Sequence, residues 1–169
     1  EENDAPEWDV QIDDTTLPED FGTVTHVNNL QDHISDPDDS SHTFTIIDES
    51  SDKVDCEISG NTLLLNSVDN YNGVTTCTVG ASDGTTTVQD TFQITVTPQD
   101  DAPVVEGIPS QTVQYGNTFH PFDLDNYLTE LDNDSVQWSY EGSGVLDVTI
   151  TSDNIVSIGY PEGYLGSQD

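Results

Sequence analysis

Pro98-Gln99-Asp100-Asp101-Ala102-Pro103 repeats, in miniature, the opening Glu2-Asn3-Asp4-Ala5-Pro6. The two Ala-Pro pairs lie 97 residues apart, about the length of one small β-domain. In both copies a carboxylate cluster runs into Ala-Pro and then into an alternating apolar strand. Proline fixes φ and biases the residue before it to extended backbone, so each copy reads as a stiff acidic joint entering a new domain. A repeat of this period frames every other reading of the chain.

Between the joints the pattern is that of short strands. Trp8 to Ile12 alternates as an opening strand, and Leu17 to Gly22 reads as a bend. Val24 to Leu30 and Thr43 to Ile47 are strands on either side of the polar turn Ser35-Asp36-Pro37-Asp38-Asp39-Ser40. Lys53 to Ser59 and Thr62 to Leu65 flank Gly60-Asn61 as a hairpin. Val74 to Ala81 and Thr87 to Thr97 close the unit across Ser82-Asp83-Gly84. About seven Thr- and Val-rich strands without a helical period predict an immunoglobulin-like β-sandwich over residues 1–100.

Residues 101–169 read as a second copy. At an offset of 94, Leu30, Ile34, Asp36, Asp38 and Phe44 map onto Leu124, Leu128, Glu130, Asp132 and Trp138. At 93, Asn61, Leu65, Asp69, Tyr71 and Gly73 map onto Asn154, Ile158, Glu162, Tyr164 and Gly166. Beyond Gly73, the first copy's Val74 to Asp100 is matched only by Ser167-Gln168-Asp169. The fold expected is therefore all-β: two tandem sandwiches, the second without its last two strands. Either a longer chain supplies those strands, or a neighbouring subunit donates them.

Composition narrows the function classes. One Lys, no Arg and 34 acidic residues give a net charge of −33. A nucleic-acid binder needs clustered cations, and an anionic membrane surface repels such a chain. Carboxylates at this density demand screening by salt or bound cations. No stretch has the length of a membrane span and no apolar leader precedes Glu1, so the chain is expected to be soluble, either processed or part of something longer.

With its joints, its Asp36-Pro37-Asp38 loop and its Asn70-Tyr71-Asn72-Gly73 and Ala81-Ser82-Asp83-Gly84 stretches, the chain resembles the tandem immunoglobulin-like and cadherin-like repeats of bacterial and archaeal surface proteins. In cadherin relatives calcium sits at the domain joint. Carried over, the resemblance implies a calcium site from Glu19, Asp69, Asp100, Asp101, Asp132 and Asp134, and a second half-site from Asp4, Asp36 and Asp38. Calcium takes six to eight oxygens at about 2.3–2.6 Å, which clustered carboxylates supply. The Asp-Arg-Glu-type loop motif of true cadherins is absent here. The competing reading is a solvated acidic loop.

Cys56 and Cys77 fall on the fourth and sixth expected strands. They are expected to form a disulfide worth about 3 kcal/mol by chain-entropy arithmetic, with a buried thiol pair as the alternative. His26, His33, His42 and His120 show no zinc spacing and read as core or surface histidines. Asn133-Asp134-Ser135 is a glycosylation sequon inside the expected calcium loop. No nucleophile elbow or phosphate loop occurs, so no enzyme is expected. The function expected is structural and extracellular: calcium-stiffened repeats of a surface filament, surface layer or adhesin, self-associating or packing on neighbouring repeats. A carbohydrate-binding module of a secreted protein is the alternative, recognisable by exposed aromatics along one sheet face.

Overall fold

The computed structural model describes residues 3–142 and 144–166. Glu2 of the first joint and Ser167 to Asp169 of the repeat alignment lie outside the described residues. The chain divides into two compact units, Glu1–Gln99 and Asp100–Asp169.

The first unit contains β1 (Glu7–Trp8), β2 (Thr15–Pro18), β3 (Thr23–Val27), β4 (Ile34–Ser35), β5 (Thr43–Glu49), β6 (Val54–Ser59), β7 (Thr62–Ser67), β8 (Gly73–Ser82) and β9 (Thr87–Thr97). A single 3-10 turn, Leu30–His33, precedes β4. One sheet has the order β2-β9-β8-β5 and the other β3-β7-β6, with β1 paired to β4 alongside. Two antiparallel-rich sheets facing one another in this order make an immunoglobulin-like, cadherin-like sandwich. Alternation dictates what lies between them. Along β9 the even positions Asp90, Phe92, Ile94 and Val96 are buried, and Gln89, Thr91 and Gln93 face solvent. Leu63 and Leu65 of β7 meet Val79 and Ile94 in a core that also takes Leu30, Val54 and Phe92.

Three expectations are corrected. The opening strand is only two residues long, because the Ile12 N–H leaves the ladder and donates to the buried Asp90 carboxylate at 2.6 Å. The expected bend over Leu17–Gly22 begins inside β2, which pairs in parallel with β9 from Thr15↔Ile94 to Pro18↔Thr97. Pro18 is compatible with that because β2 is an edge strand, where a missing N–H breaks no inner ladder. The second strand stops at Val27, and Leu30 instead enters the 3-10 turn with its N–H on the Asn61 carbonyl at 2.7 Å.

The second unit contains β10 (Val104–Val105), β11 (Phe122–Asp123), β12 (Leu128–Thr129), β13 (Asp147–Ile150) and β14 (Ile155–Gly159), with a 3-10 turn at Leu124–Tyr127. The repeat holds at the level of single bonds. Trp8↔Ile34 becomes Val105↔Leu128. Ile58↔Leu63 becomes Ile150↔Val156. The Leu124 N–H donates to the Asn154 carbonyl as Leu30 does to Asn61. A Cβ at Gly73 would lie 2.8 Å from the Tyr71 hydroxyl, and one at Gly166 would lie 2.6 Å from that of Tyr164, so both aromatic loops close over a residue that must lack a side chain. The second unit's sheets are β11-β14-β13 and the pair β10-β12. No strand forms between 130 and 142, where the sequence reading places the counterpart of β5.

Candidate functional site

Each acidic joint is fastened to an acidic loop of its own unit, and in the same way. The Asp4 N–H donates to Asp38 Oδ2 at 2.7 Å, and the Asp101 N–H donates to Asp132 Oδ2 at 2.6 Å. A further carboxylate organises each loop from within. Asp36 Oδ1 accepts the N–H groups of Asp38 and Asp39, at 2.9 and 3.0 Å. In the second unit Glu130 takes this place, accepting from Asp132 at 3.1 Å and Asp134 at 2.8 Å. Asp-x-Asp spacing allows this, because the first acid folds back on the amides that follow it.

The two loops differ in how their charge is balanced. In the first, His42 is buried, and its Nε2 donates to Asp36 Oδ2 at 3.2 Å. The Gln31 amide fixes that tautomer by donating to Nδ1 at 2.8 Å, and the His42 N–H returns to Gln31 Oε1 at 2.9 Å. The Asp38 and Asp39 amides hold the Asp36 carboxyl below its ordinary value, with His42 adding to the effect. Asp36, expected as a ligand, is therefore satisfied within its own loop. Asp38 is exposed and carries the bond from Asp4.

In the second unit Val136 stands at the position of His42, and no Lys or Arg occurs anywhere in residues 100–169. Here the neighbouring Asp100 carboxyl raises that of Asp134 above the ordinary value. The charges of Asp100, Glu130 and Asp132 push the same way. Neighbouring carboxylates repel one another unless a proton, salt or a bound cation offsets their charge. Asp101 is thus linked to Asp132 through its backbone N–H, and Asp134 neighbours Asp100. Glu130 was missed as a member of the group, although its alignment with Asp36 marked it. Among the described residues no three His, Cys, Asp or Glu side chains converge closely enough to form a finished ion cage.

Glu19 and Asp69, the other expected ligands, belong to the first unit. Glu19 is buried, 4% exposed, and its carboxylate accepts the Gln99 N–H at 2.6 Å. That bond and the one from the Glu19 N–H to the Thr97 carbonyl at 2.8 Å fix the end of β9. Asp69 is exposed, on the loop where the Asn70 N–H donates to Asp20 at 2.7 Å. Asp20 was not anticipated. Its left-handed φ of 57° follows Pro18-Glu19 and turns its side chain onto that loop.

Cys56 and Cys77 lie on β6 and β8, one in each sheet, both buried and both free thiols in this structure rather than the expected bridge. The neighbouring Cys77 thiol together with burial pushes the Cys56 thiol far above its ordinary value. The other histidines have structural partners. His26 stacks on Phe92 at 4.8 Å and donates to the Asp13 carbonyl, and His33 donates to the Val10 carbonyl. The His120 backbone is held by the Gln111 side chain at both its N–H and its carbonyl. Asn133 of the sequon is exposed with φ 60°, next to Asp134.

No family model matches the chain, and no curated protein matches it. Among solved structures it is similar to human protocadherin-24 EC1-2, at 19% identity and a TM-score of 0.48, over 96% of this chain and 83% of that one. A protocadherin gamma B7 structure of extracellular cadherin domains 1–4 matches at 17% identity and a TM-score of 0.49, over 93% of this chain and 41% of that one. An endo-fucoidan hydrolase of glycoside hydrolase family 107 matches at 18% identity and a TM-score of 0.46, over 92% of this chain and 24% of that one. The chain thus spans about a quarter of the hydrolase's length. These likenesses concern fold and carry no functional argument.

Proposed function

We propose that the chain is a structural segment of an extracellular protein, a pair of β-sandwich repeats from a surface filament, surface layer or adhesin, whose acidic loops bind calcium. One observation carries the reading. Asp134 lies among the carboxylates of Asp100, Glu130 and Asp132, in a unit with no Lys or Arg to neutralise them. A hard divalent cation with oxygen ligands suits that group, and main-chain carbonyls and water complete its shell. Glu19 and Asp69 are offered as first-unit contributors to calcium binding, and Asp4 and Asp38 as a weaker half-site. Binding would order the loops, offset the carboxylate repulsion and stiffen the pair of repeats.

Several features support a non-catalytic, mechanical role in preference to carbohydrate binding. The most exposed aromatics, Tyr115 and Tyr140, lie outside the strands, and Trp8 packs against Phe44 with ring centroids 6.4 Å apart. Among the described residues no helix is long and apolar enough to cross a membrane. An extracellular, oxidising setting is proposed for the same reason that a Cys56–Cys77 bridge is: two buried thiols face each other across the sandwich. Self-association with further copies or neighbouring repeats is part of the proposal.

Thermal unfolding tests the reading. A ligand bound only to the ordered state adds stability by mass action, so calcium should raise the melting temperature and chelator should lower it. Sodium chloride at matched ionic strength should not substitute. Full restoration by sodium would identify the group as a screened acidic patch and overturn the proposal.

A further inference from the structure

The two central strands of the first unit's four-stranded sheet, β8 and β9, contain a single acidic residue, Asp90, and it is buried on the inner side. Alternation turns the uncharged polar residues outward. On β9, Gln89, Thr91 and Gln93 are exposed, and on β8, Thr76 and Thr78 are half-buried beside them. The register sets Thr76 opposite Gln93 and Thr78 opposite Thr91, whose hydroxyls bond at 2.8 Å. Thr43 and Thr45 of β5 extend the same face, opposite Ser82 and Gly80. The nearest acids stand at its rims. Asp14, just before edge strand β2, accepts the Gln93 N–H at 2.7 Å, and Asp48 lies on edge strand β5. In a chain of 34 acidic residues this is a neutral surface. The other sheet does the reverse, with Asp55 and Glu57 of β6 both exposed.

The chemistry of the face selects its occupant. It offers no cation to an anionic polymer, and the aromatic side chains of its strands, Phe44 and Phe92, are buried on the inner side, away from any sugar ring. Thr and Gln side chains both donate and accept, so the face is complementary to itself, as an interface between identical copies about a two-fold axis requires. It is also a surface on which two chains of net charge −33 can meet without setting like charges opposite one another. Apolar contact is available there too. Val74 is 58% exposed and Ile47 43%. A Cβ at Gly80 would lie 2.8 Å from Ile47 Cδ1, so Ile47 lies across the bare glycine. Joining through the sheet edges is obstructed, by Pro18 on β2 and by the break in register between Ile46 and Asp48 on β5.

We propose that the outer face of the β2-β9-β8-β5 sheet is the surface through which the first units of two copies of this chain pair face to face. The proposal rests on the structural, self-associating reading above and assigns that association a place. Four strands spaced about 4.8 Å apart, with a rise of about 3.4 Å per residue, present about 400–500 Å² per copy, the size of a weak contact. Several such contacts along an array of repeats would reinforce one another.

Sedimentation equilibrium of the full chain, with calcium at physiological ionic strength and protein up to millimolar concentration, tests this. The wild type should show a reversible monomer–dimer equilibrium. Thr76→Glu with Thr91→Glu should weaken it about tenfold or more, and added sodium chloride should recover part of the loss by screening the new charges. Thr25→Glu, at an exposed position of the other sheet, should leave pairing unchanged. The double variant should melt and bind calcium as the wild type does, which separates loss of pairing from loss of fold and from failure of the calcium reading. If it melts lower, Thr91→Glu alone takes its place and should still weaken pairing. A wild type that stays monomeric would overturn the proposal, including one retarded on a dextran matrix and released by glucose, which would give the face to a neutral glycan. So would a folded Glu variant that pairs as tightly as the wild type.

Discussion

Asp134 is the residue at which charge, geometry and the proposed cation meet. The neighbouring Asp100 carboxyl raises that of Asp134, so this group keeps its proton to higher pH in the folded unit than in the unfolded chain. Its own contribution to metal-free stability is therefore fullest below the ordinary carboxylate value and is lost as pH rises through the raised one. Asp36 and Asp83 work in the opposite direction. Backbone amides hold both carboxyls below the ordinary 3.8, so their contribution is present at neutral pH and is lost as pH falls through the depressed value. Asp134→Asn should raise the melting temperature of the second unit in chelator at pH 7 and reduce the gain from calcium. An unchanged calcium gain would separate Asp134 from the metal. The thiols give an independent prediction at the same scale. If Cys56 and Cys77 pass two protons and two electrons to a disulfide-exchange partner in an oxidising compartment, non-reduced peptide mapping will show one linked peptide. Reduction should then cost the first unit about 3 kcal/mol. Quantitative alkylation of both thiols in freshly isolated native protein would end that idea.

At the scale of elements, the repeat gives paired positions whose substitutions should differ sharply. Phe44→Ala removes a buried ring that packs against Trp8 and should cost the first unit about 3–5 kcal/mol. Trp138→Ala, at the aligned position, should cost the second unit much less, because that ring is only half-buried and lies outside any strand. Two-transition thermal or urea unfolding measures both, and equal losses would mean that 136–142 is packed after all. Most of the element pattern was legible in the sequence: β9 matches its expected span to the residue, and the β6–β7 hairpin falls where Gly60-Asn61 placed it. β2 was not legible, because Pro18 reads as a breaker unless the strand is known to be an edge. The unpaired state of 136–142 was hidden for a related reason. Alternation records which face a strand would bury, not whether its ladder forms.

At the scale of the whole molecule, the acidic composition and the doubled joint-and-loop bond are two views of one property. Asp4 to Asp38 and Asp101 to Asp132 bring carboxylates together at equivalent points of the repeat, against the grain of a net charge of −33. The grouping of Asp100, Asp132 and Asp134 could be read from alignment and resemblance. The inward role of Asp36 could not, since it depends on a histidine six residues away being buried beside it. Calorimetric titration of calcium into the metal-free chain at physiological ionic strength tests the central claim most directly. The calcium reading predicts saturable binding in the range of extracellular modules, a Kd of about 10⁻⁴–10⁻³ M, weakened about tenfold or more by Asp100→Asn with Asp134→Asn. Heat that never saturates, or binding that the double substitution leaves unchanged, would contradict it.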